Sequence, residues 1–388
     1  MLMHIFTLFC GQKKFYGGLF VEHAIVFIVL LYCLLFLGEN LRLYCSDGLL
    51  NTENVYECAC VKLDGSMEER DNTEGLIMEQ VMRTVWTTDG VVAGGKSAML
   101  LPYVRPETMN GSDSIQAGQK RIKAYLKYAD KNMDKVLDIK LKKGKWLDDG
   151  RLNDGSYPAV VTQQLLDEAG WSDGLGRKVL FDGRELTICG VMSGLKQEPL
   201  KLSQPVLIMP VGLNREYPIE YTTRIKDGEE MNFRSLVKRV FYRLSGDKAD
   251  LSVTKIEKWK RIWLQEVYVA LTLIAVPTVF LLFFAFMGTL GLFWLYSTRR
   301  KKEFALRIVV GSTPAGLMKF VIAESLLLTV LAWIPGLVLF FITNPLTVTN
   351  LFALGGTCFV MLLFSVFSAW WPARQVSRVK PIEAMREE

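Results

Sequence analysis

Four long apolar runs divide this chain. Between the first and the second lies a long stretch in which apolar and polar positions alternate at short range. The first run, residues 19–38, is nearly all apolar and has the roughly 20 residues that a bilayer core requires. The second covers 264–297, the third 317–343 with Pro335 inside it, and the fourth 350–371. The second is longer than a bilayer needs. With Thr254 to Gln265 ahead of it, it is expected to continue outward as a stalk, kinked at Pro277. No segment of 39–263 can span a membrane, and its length suits one folded domain.

Inside that domain the pattern is mixed. Strands are expected at Val55 to Leu63, Tyr157 to Thr162 and Pro205 to Pro210, with a hairpin from Leu180 to Met192 around Asp182-Gly183. Val91 to Tyr103 reads as extended, and Arg121 to Tyr128 alternates. Helices are expected at Glu74 to Trp86, Lys131 to Leu137 and Gln163 to Ala169, with a turn at Gly144-Lys145-Trp146. The clearest helix carries Phe233, Leu236, Val237, Val240, Phe241 and Leu244 on one face, against Arg234, Lys238, Arg239 and Arg243. Strands and helices in this proportion predict an α+β domain. The fold class is thus a polytopic α-helical membrane protein: four transmembrane helices, with a large α+β extracytoplasmic domain between helices 1 and 2.

Charge sets the expected orientation. Half of the residues are hydrophobic and 22% are charged, with a net charge of +6. Arg299, Arg300, Lys301 and Lys302 stand together where the second run ends. Short loops rich in Lys and Arg stay in the cytosol, so 298–316 is expected there, and 39–263 outside. Thr343 to Asn350 carries no charge, as suits an outside loop. Arg374, Arg378 and Lys380 mark 372–388 as a cytosolic tail. Residues 1–18 read as a cytosolic or interfacial segment and the first run as an uncleaved span rather than a signal peptide. Glu22 and His23 are expected to snorkel to the interface at the cytosolic end of that span.

Candidate chemistry is sparse. Gly90 to Ser97, GVVAGGKS, matches the P-loop pattern G-x-x-x-x-G-K-[ST]. That chemistry needs a strand before the loop and a helix after it. Here a helix-like stretch precedes and an extended one follows, so the match reads as accidental. His4 and His23 are the only histidines, and neither lies in 39–263, which excludes a Ser-His or Zn-His site there. Cys10, Cys33 and Cys358 sit in or beside apolar runs. Cys45, Cys58, Cys60 and Cys189 lie in the domain, where Cys58-x-Cys60 lacks companions for a metal site. Glu324, about two turns inside the third run, is a functional candidate unless it reaches the interface or pairs with Lys319. Gly288, Gly291, Gly355, Gly356, Ser365 and Ser368 suit close helix packing.

From Arg299 to Leu328 the residues resemble the coupling segment of MacB-like and FtsX-like permeases of ABC transporters. The likeness rests on Arg299-Arg300-Lys301-Lys302-Glu303, Leu306-Arg307, Gly311 and Glu324-Ser325-Leu326. It rests also on Pro372-Ala373-Arg374 followed by Pro381-Ile382-Glu383-Ala384-Met385-Arg386. Within the domain, Gly144-Lys145-Trp146, Val160-Val161-Thr162, Gly176-Arg177-Lys178, Gly190-Val191-Met192 and Leu207 to Pro210 follow the order of the MacB-like core domain. Residues 40–135 match less well.

The resemblance implies a permease subunit that transmits ATP-driven motion of a separate cytosolic ATPase to an extracytoplasmic domain, for efflux or lipoprotein and peptide handling. The coupling surface would include Arg299, Arg300, Glu303, Phe304, Arg307 and Gly311. No catalytic, metal or cofactor site is implied in this chain, since ATP and Mg are bound by the partner ATPase. The partners implied are ABC ATPase subunits, a second permease copy or paralogue forming a dimer, membrane lipid and a periplasmic adaptor, with no nucleic acid. The implied location is the bacterial cytoplasmic membrane, multi-pass, both termini cytosolic. The competing reading is a membrane-anchored extracytoplasmic sensor or scaffold without transport; it lacks a cytosolic signalling domain.

Overall fold

The structure is a computed structural model, and it describes residues 13–62, 72–104, 111–245 and 249–376. The segment before Lys13 and the closing motif Pro381 to Arg386 lie outside those residues. Two compact units emerge, one of residues 43–266 and one combining the segments through Arg42 and from Val267. Each is described by itself.

The elements follow in chain order. Helix α1 is Lys13–Cys45. The core domain then carries β1 Val55–Lys62, α2 Asn72–Val85, β2 Val91–Ala98, β3 Ser112–Ala117 and β4 Lys120–Ala129. Next come α3 Met133–Leu137, β5 Leu141–Gly144, β6 Tyr157–Thr162, α4 Gln163–Ala169, β7 Lys178–Phe181 and β8 Arg184–Met192. It closes with β9 Val206–Pro210, β10 Glu220–Ile225, α5 Glu230–Ser245 and β11 Ala249–Lys255. Helices α6 Ile256–Arg299, α7 Lys301–Val309, α8 Pro314–Thr343 and α9 Val348–Val376 complete the chain.

The strands of the core domain form one sheet in the order β11-β1-β10-β2-β4-β3-β7-β8-β6-β9. A parallel pairing of β9 with β4, Tyr125 opposite Val206 through Ala129 opposite Pro210, joins the far end of this path back to its middle. Strands β4, β3, β7, β8, β6 and β9 therefore make a closed ring. Its interior takes every second residue: Ile122, Ala124, Leu126 and Tyr128 from β4, Ile188 and Leu186 from β8, Leu207 and Met209 from β9. Period two on each strand is what a closed sheet demands, because one face lies inside. The open arm β11-β1-β10-β2 buries its other core under α2 and α5. There Val81, Met82 and Val85 meet Phe233, Val237 and Phe241.

The expected strands and helices of this domain are present. The differences lie at β3, β5, β10 and β11, which are strands without a strong apolar signature. Residues Leu141–Gly144 pair with β8, and Gly144, where the turn was expected to open, ends that strand at φ 80°. Strand β11 is an edge strand of seven residues, ADLSVTK, whose polar positions hid it.

Among the described residues four helices, α1, α6, α8 and α9, are long and apolar enough to cross a membrane. Pro277 lies inside α6 and Pro335 inside α8. The apolar core of this unit combines Phe27, Leu31, Ala285, Phe340 and Met361. Of the expected glycines, Gly356 meets the Leu34 side chain, and the closest approach falls on one outside that set. The Phe27 ring lies against the Cα of Gly336, where a Cβ would collide with it. Gly291 and Gly355 face open space instead, while Gly288 faces the Glu22 carboxylate. Ser365 does join helices: its hydroxyl lies 2.8 Å from that of Ser325. His23 corrects the snorkelling expectation. It is fully buried, its Nδ1 donates to the Leu19 carbonyl at 2.9 Å, and Phe364 meets it edge-on at 5.5 Å.

Candidate functional site

The charged residues at the end of α6 fold into an ion-pair cluster. Arg300 stands between α6 and α7 as the residue that caps the latter. Its Nε and Nη2 donate to the two oxygens of Glu303 at 2.6 and 2.8 Å, a bidentate pairing, and its Nη1 reaches Glu324 Oε2 at 3.5 Å. Arg307 donates to Glu303 Oε1 at 2.6 Å, one helical turn on. The Tyr16 hydroxyl donates to the other oxygen of Glu324. Two guanidiniums thus face two carboxylates, and a phenol from α1 closes the set. Arg300 beside it holds the Glu303 carboxyl below the usual carboxylate range, so Glu303 stays ionised at neutral pH.

Aromatic rings wall the cluster. Arg307 lies 4.6 Å from the Phe320 ring centre and Arg300 lies 5.0 Å from that of Phe304. Phe304 is 1% exposed, packed among Tyr16, Leu19, Phe293, Leu317 and Val321. The other edge of α7 is bare: Leu306, Val309 and Val310 are exposed. Gly311 then stops the helix at φ 103°. The Gly311 amide bonds the Ile308 carbonyl and the Ser312 amide bonds that of Arg307, the paired bonds of a left-handed glycine stop. Thr313 caps α8 through its hydroxyl to the Gly316 amide at 3.1 Å, with Pro314 at the first helical position.

The structure sorts the seven residues singled out by sequence. Arg300, Glu303, Arg307 and Glu324 come together. Arg299 is exposed outside the cluster, Gly311 is a helix stop, and Phe304 faces inward. Phe304 and Arg300 are thereby moved from the surface of α7 to its back, because the bundle supplies the apolar and anionic cover each needs. The partner of Glu324 is Arg300 and not Lys319, which is exposed. Tyr16 and Phe320 went unnoticed in sequence. Tyr16 lies 308 positions from Glu324, so no spacing links them.

The last four residues of the P-loop-like string each have a structural use. Gly94 and Gly95 lie on β2 opposite Thr223 and Thr222 of β10. The Trp86 indole occupies the space a side chain at Gly94 would need, and Asp130 and Met133 crowd Gly95. The Lys96 amide donates to Asp130 Oδ2 at 2.7 Å and its Nζ pairs with Glu79 at 3.2 Å. The Ser97 hydroxyl donates to Glu220 at 2.8 Å. Amides committed to a strand ladder cannot converge on a phosphate as those of a helix N-terminus do. The described cysteines are free thiols, and Cys58 is buried under α2 and α5, where burial pushes its thiol up to about 12.

Comparison with known proteins adds two family matches. Residues 72–243 match the MacB-like periplasmic core domain, and residues 275–381 match the FtsX-like permease C-terminal domain. The macrolide export ATP-binding/permease protein MacB of Neisseria meningitidis serogroup A is 20% identical over 270 residues, covering 65% of this chain. Its serogroup B counterpart gives the same figures. The chain spans 42% of the length of these curated relatives. Among solved structures, the periplasmic region of MacB from Actinobacillus actinomycetemcomitans covers 55% of this chain and 93% of its own, at 16% identity and a TM-score of 0.39. The extracellular domain of the noncanonical ABC-type transporter YknZ from Gram-positive bacteria covers 52% and 100%, at 14% identity and a TM-score of 0.37. With a MacB-like core domain set between the first and the later of four apolar helices, and an FtsX-like domain over the last three, this chain belongs to the MacB/FtsX-like permeases of ABC transporters.

Proposed function

We propose that the chain is a permease subunit that carries ATP-driven motion of separate cytosolic ATPase subunits to its core domain on the other side of the membrane. The observation that supports this is the mounting of α7. Behind, the helix is clamped by Phe304 and by the Arg300–Glu303–Arg307–Glu324 cluster; in front, it offers Leu306, Val309 and Val310, which are 58%, 59% and 80% exposed. Apolar side chains on a short loop helix beside four cations call for cover by a partner. A helix fixed on one side and bare on the other passes a push into the bundle rather than absorbing it. ATP and Mg belong to the ATPase in this reading, and the chain itself hydrolyses nothing.

The work falls on a substrate or partner outside the cytosol, by efflux or by lipoprotein or peptide handling. The assembly would hold two ATPase subunits, a second permease copy or paralogue, bound lipid and a periplasmic adaptor. It would lie in the bacterial cytoplasmic membrane with both termini cytosolic.

Leu306→Glu with Val309→Glu is expected to lower co-purification of the co-expressed ATPase about fivefold to thirtyfold, the range that losing about 1–2 kcal/mol of apolar contact gives. The amount of chain in the membrane should not change, because both side chains are exposed. Unchanged co-purification would remove α7 as the docking helix. In the same cells, in a cysteine-free background, Asp113→Cys should react with an impermeant maleimide and Lys302→Cys should not. The reverse pattern would invert the topology and end the proposal.

A further inference from the structure

The closed ring of the core domain has an open mouth. A cavity of about 320 Å³ lies where β3 begins, β4 ends, β7 turns into β8 and the segment after β9 passes over. That volume is within the range of small-ligand sites, and barrel mouths are one of the places where such sites occur. From this geometry we propose that the mouth binds a neutral saccharide of one or two rings. The inference is independent of the transport reading.

Three observations carry it. First, Tyr128 is the last inward residue of β4, is 7% exposed and lines the cavity. Its hydroxyl has no hydrogen-bond partner among the described residues. Burial, then the neighbouring Tyr217 and Glu216, push that hydroxyl up to about 12, so it remains protonated and able to donate. A hydroxyl that opens on the cavity with no partner among the described residues is placed to bond a ligand oxygen at the mouth.

Second, the charged lining is mixed. Asp113, Asp182 and Glu216 line the cavity together with Arg184 and Arg215, and Arg184 pairs with Asp182 at 3.8 Å. A free anion would meet three carboxylates and a free cation two guanidiniums. Carboxylates only accept hydrogen bonds and guanidiniums only donate them. A sugar hydroxyl does both, so a polyhydroxylated neutral molecule can bond either kind of group at the mouth without a charge mismatch.

Third, the walls are aromatic and already placed. The rings of Tyr128 and Tyr217 stand 6.2 Å apart at 40°, and Phe181 lines the same cavity. Such faces suit the C–H side of a pyranose. Asn214 clips the backbone of Tyr217 from both directions, accepting from its amide at 3.1 Å and donating to its carbonyl at 2.7 Å. The Tyr217 hydroxyl reaches the backbone of Gly111, filling the place of a side chain there. A wall held this way loses little entropy when a ligand arrives. An extended peptide would need a free strand edge, and β3 is paired with β4 on one side and β7 on the other.

The test is titration of the full chain in detergent with chitobiose and with maltose, followed by saturation-transfer NMR. Saturable binding of at least one disaccharide, at about 1 mM or tighter, is expected. Tyr128→Phe keeps the ring and removes the hydroxyl, and should weaken binding about fivefold or more; Arg215→Ala should weaken it similarly. Lys142→Ala, away from the cavity, should leave it unchanged. Absence of saturable binding by both sugars would overturn the proposal. So would equal binding by all variants, or binding of dialanine or inorganic phosphate in preference to the sugars.

Discussion

Arg300→Met is expected to destabilise the membrane unit by about 3–5 kcal/mol, the cost of leaving a buried partner charge uncompensated. Glu324 is 1% exposed and Arg300 7%, so water cannot take over the lost contact. Glu303 would retain Arg307, but Glu324 would keep only the Tyr16 hydroxyl among its described hydrogen bonds. Arg300→Met with Glu324→Gln should recover most of the loss, since a buried pair replaced as a pair costs far less than one broken. Reversible unfolding in mixed micelles would measure both. A single variant within about 0.5 kcal/mol of wild type would mean that the cluster is solvated and contributes no more than an ordinary surface pair. The same variant tests the mounting of α7, because Arg300 joins Glu303 of α7 to Glu324 of α8.

The second large effect is expected far from any ATPase. Glu220→Ala should cost the core domain about 2–5 kcal/mol. The Glu220 carboxylate is 3% exposed and accepts from the Ser97 hydroxyl at 2.8 Å and from the amides of Leu100 and Leu101 at 3.2 and 3.3 Å. Truncation leaves buried donors without an acceptor, at about 1–3 kcal/mol each where water cannot enter. Glu220→Gln keeps an acceptor and should cost less. Urea unfolding of the full chain gives the magnitude, and faster amide exchange at Leu100 and Leu101 would locate it. Wild-type exchange at those two amides in the alanine variant would show that other groups satisfy them. Ser97 is the last residue of the P-loop-like string. The expected loss of stability, with no change in nucleotide handling, would separate its structural use from the accidental match.

Local signals were enough for much of the architecture. Runs of about twenty or more predominantly apolar residues have one low-energy environment, so the four membrane helices were legible in the runs themselves. Helix α5 was legible because Phe233, Val237 and Phe241 repeat at helical spacing, and they are the residues buried against the sheet. The β7–β8 hairpin was legible at Asp182-Gly183, both at positive φ. Strand β11 was not, because an edge strand buries little and needs no apolar alternation.

For the charged residues, the sequence determined which could pair and the tertiary structure decided which did. Glu303 and Arg307, four apart on a helix, had to be neighbours. The ion pair of Arg300 with Glu324 spans 24 positions and two helices, and the Tyr16 contact spans 308. Helical spacing reaches only one turn, so these contacts depend on how α1, α7 and α8 pack. The inward turn of Phe304 follows from the same packing: sequence marks it as apolar on an amphipathic helix, and only the neighbouring Leu317, Phe320 and Val321 decide that the bundle covers it. The ring and its mouth belong wholly to the tertiary level. Closure rests on the pairing of β4 with β9, about eighty residues apart in the chain. Strand alternation says which residues share a face, but not which strands meet, because pairing energy is spread over backbone groups that every residue carries alike.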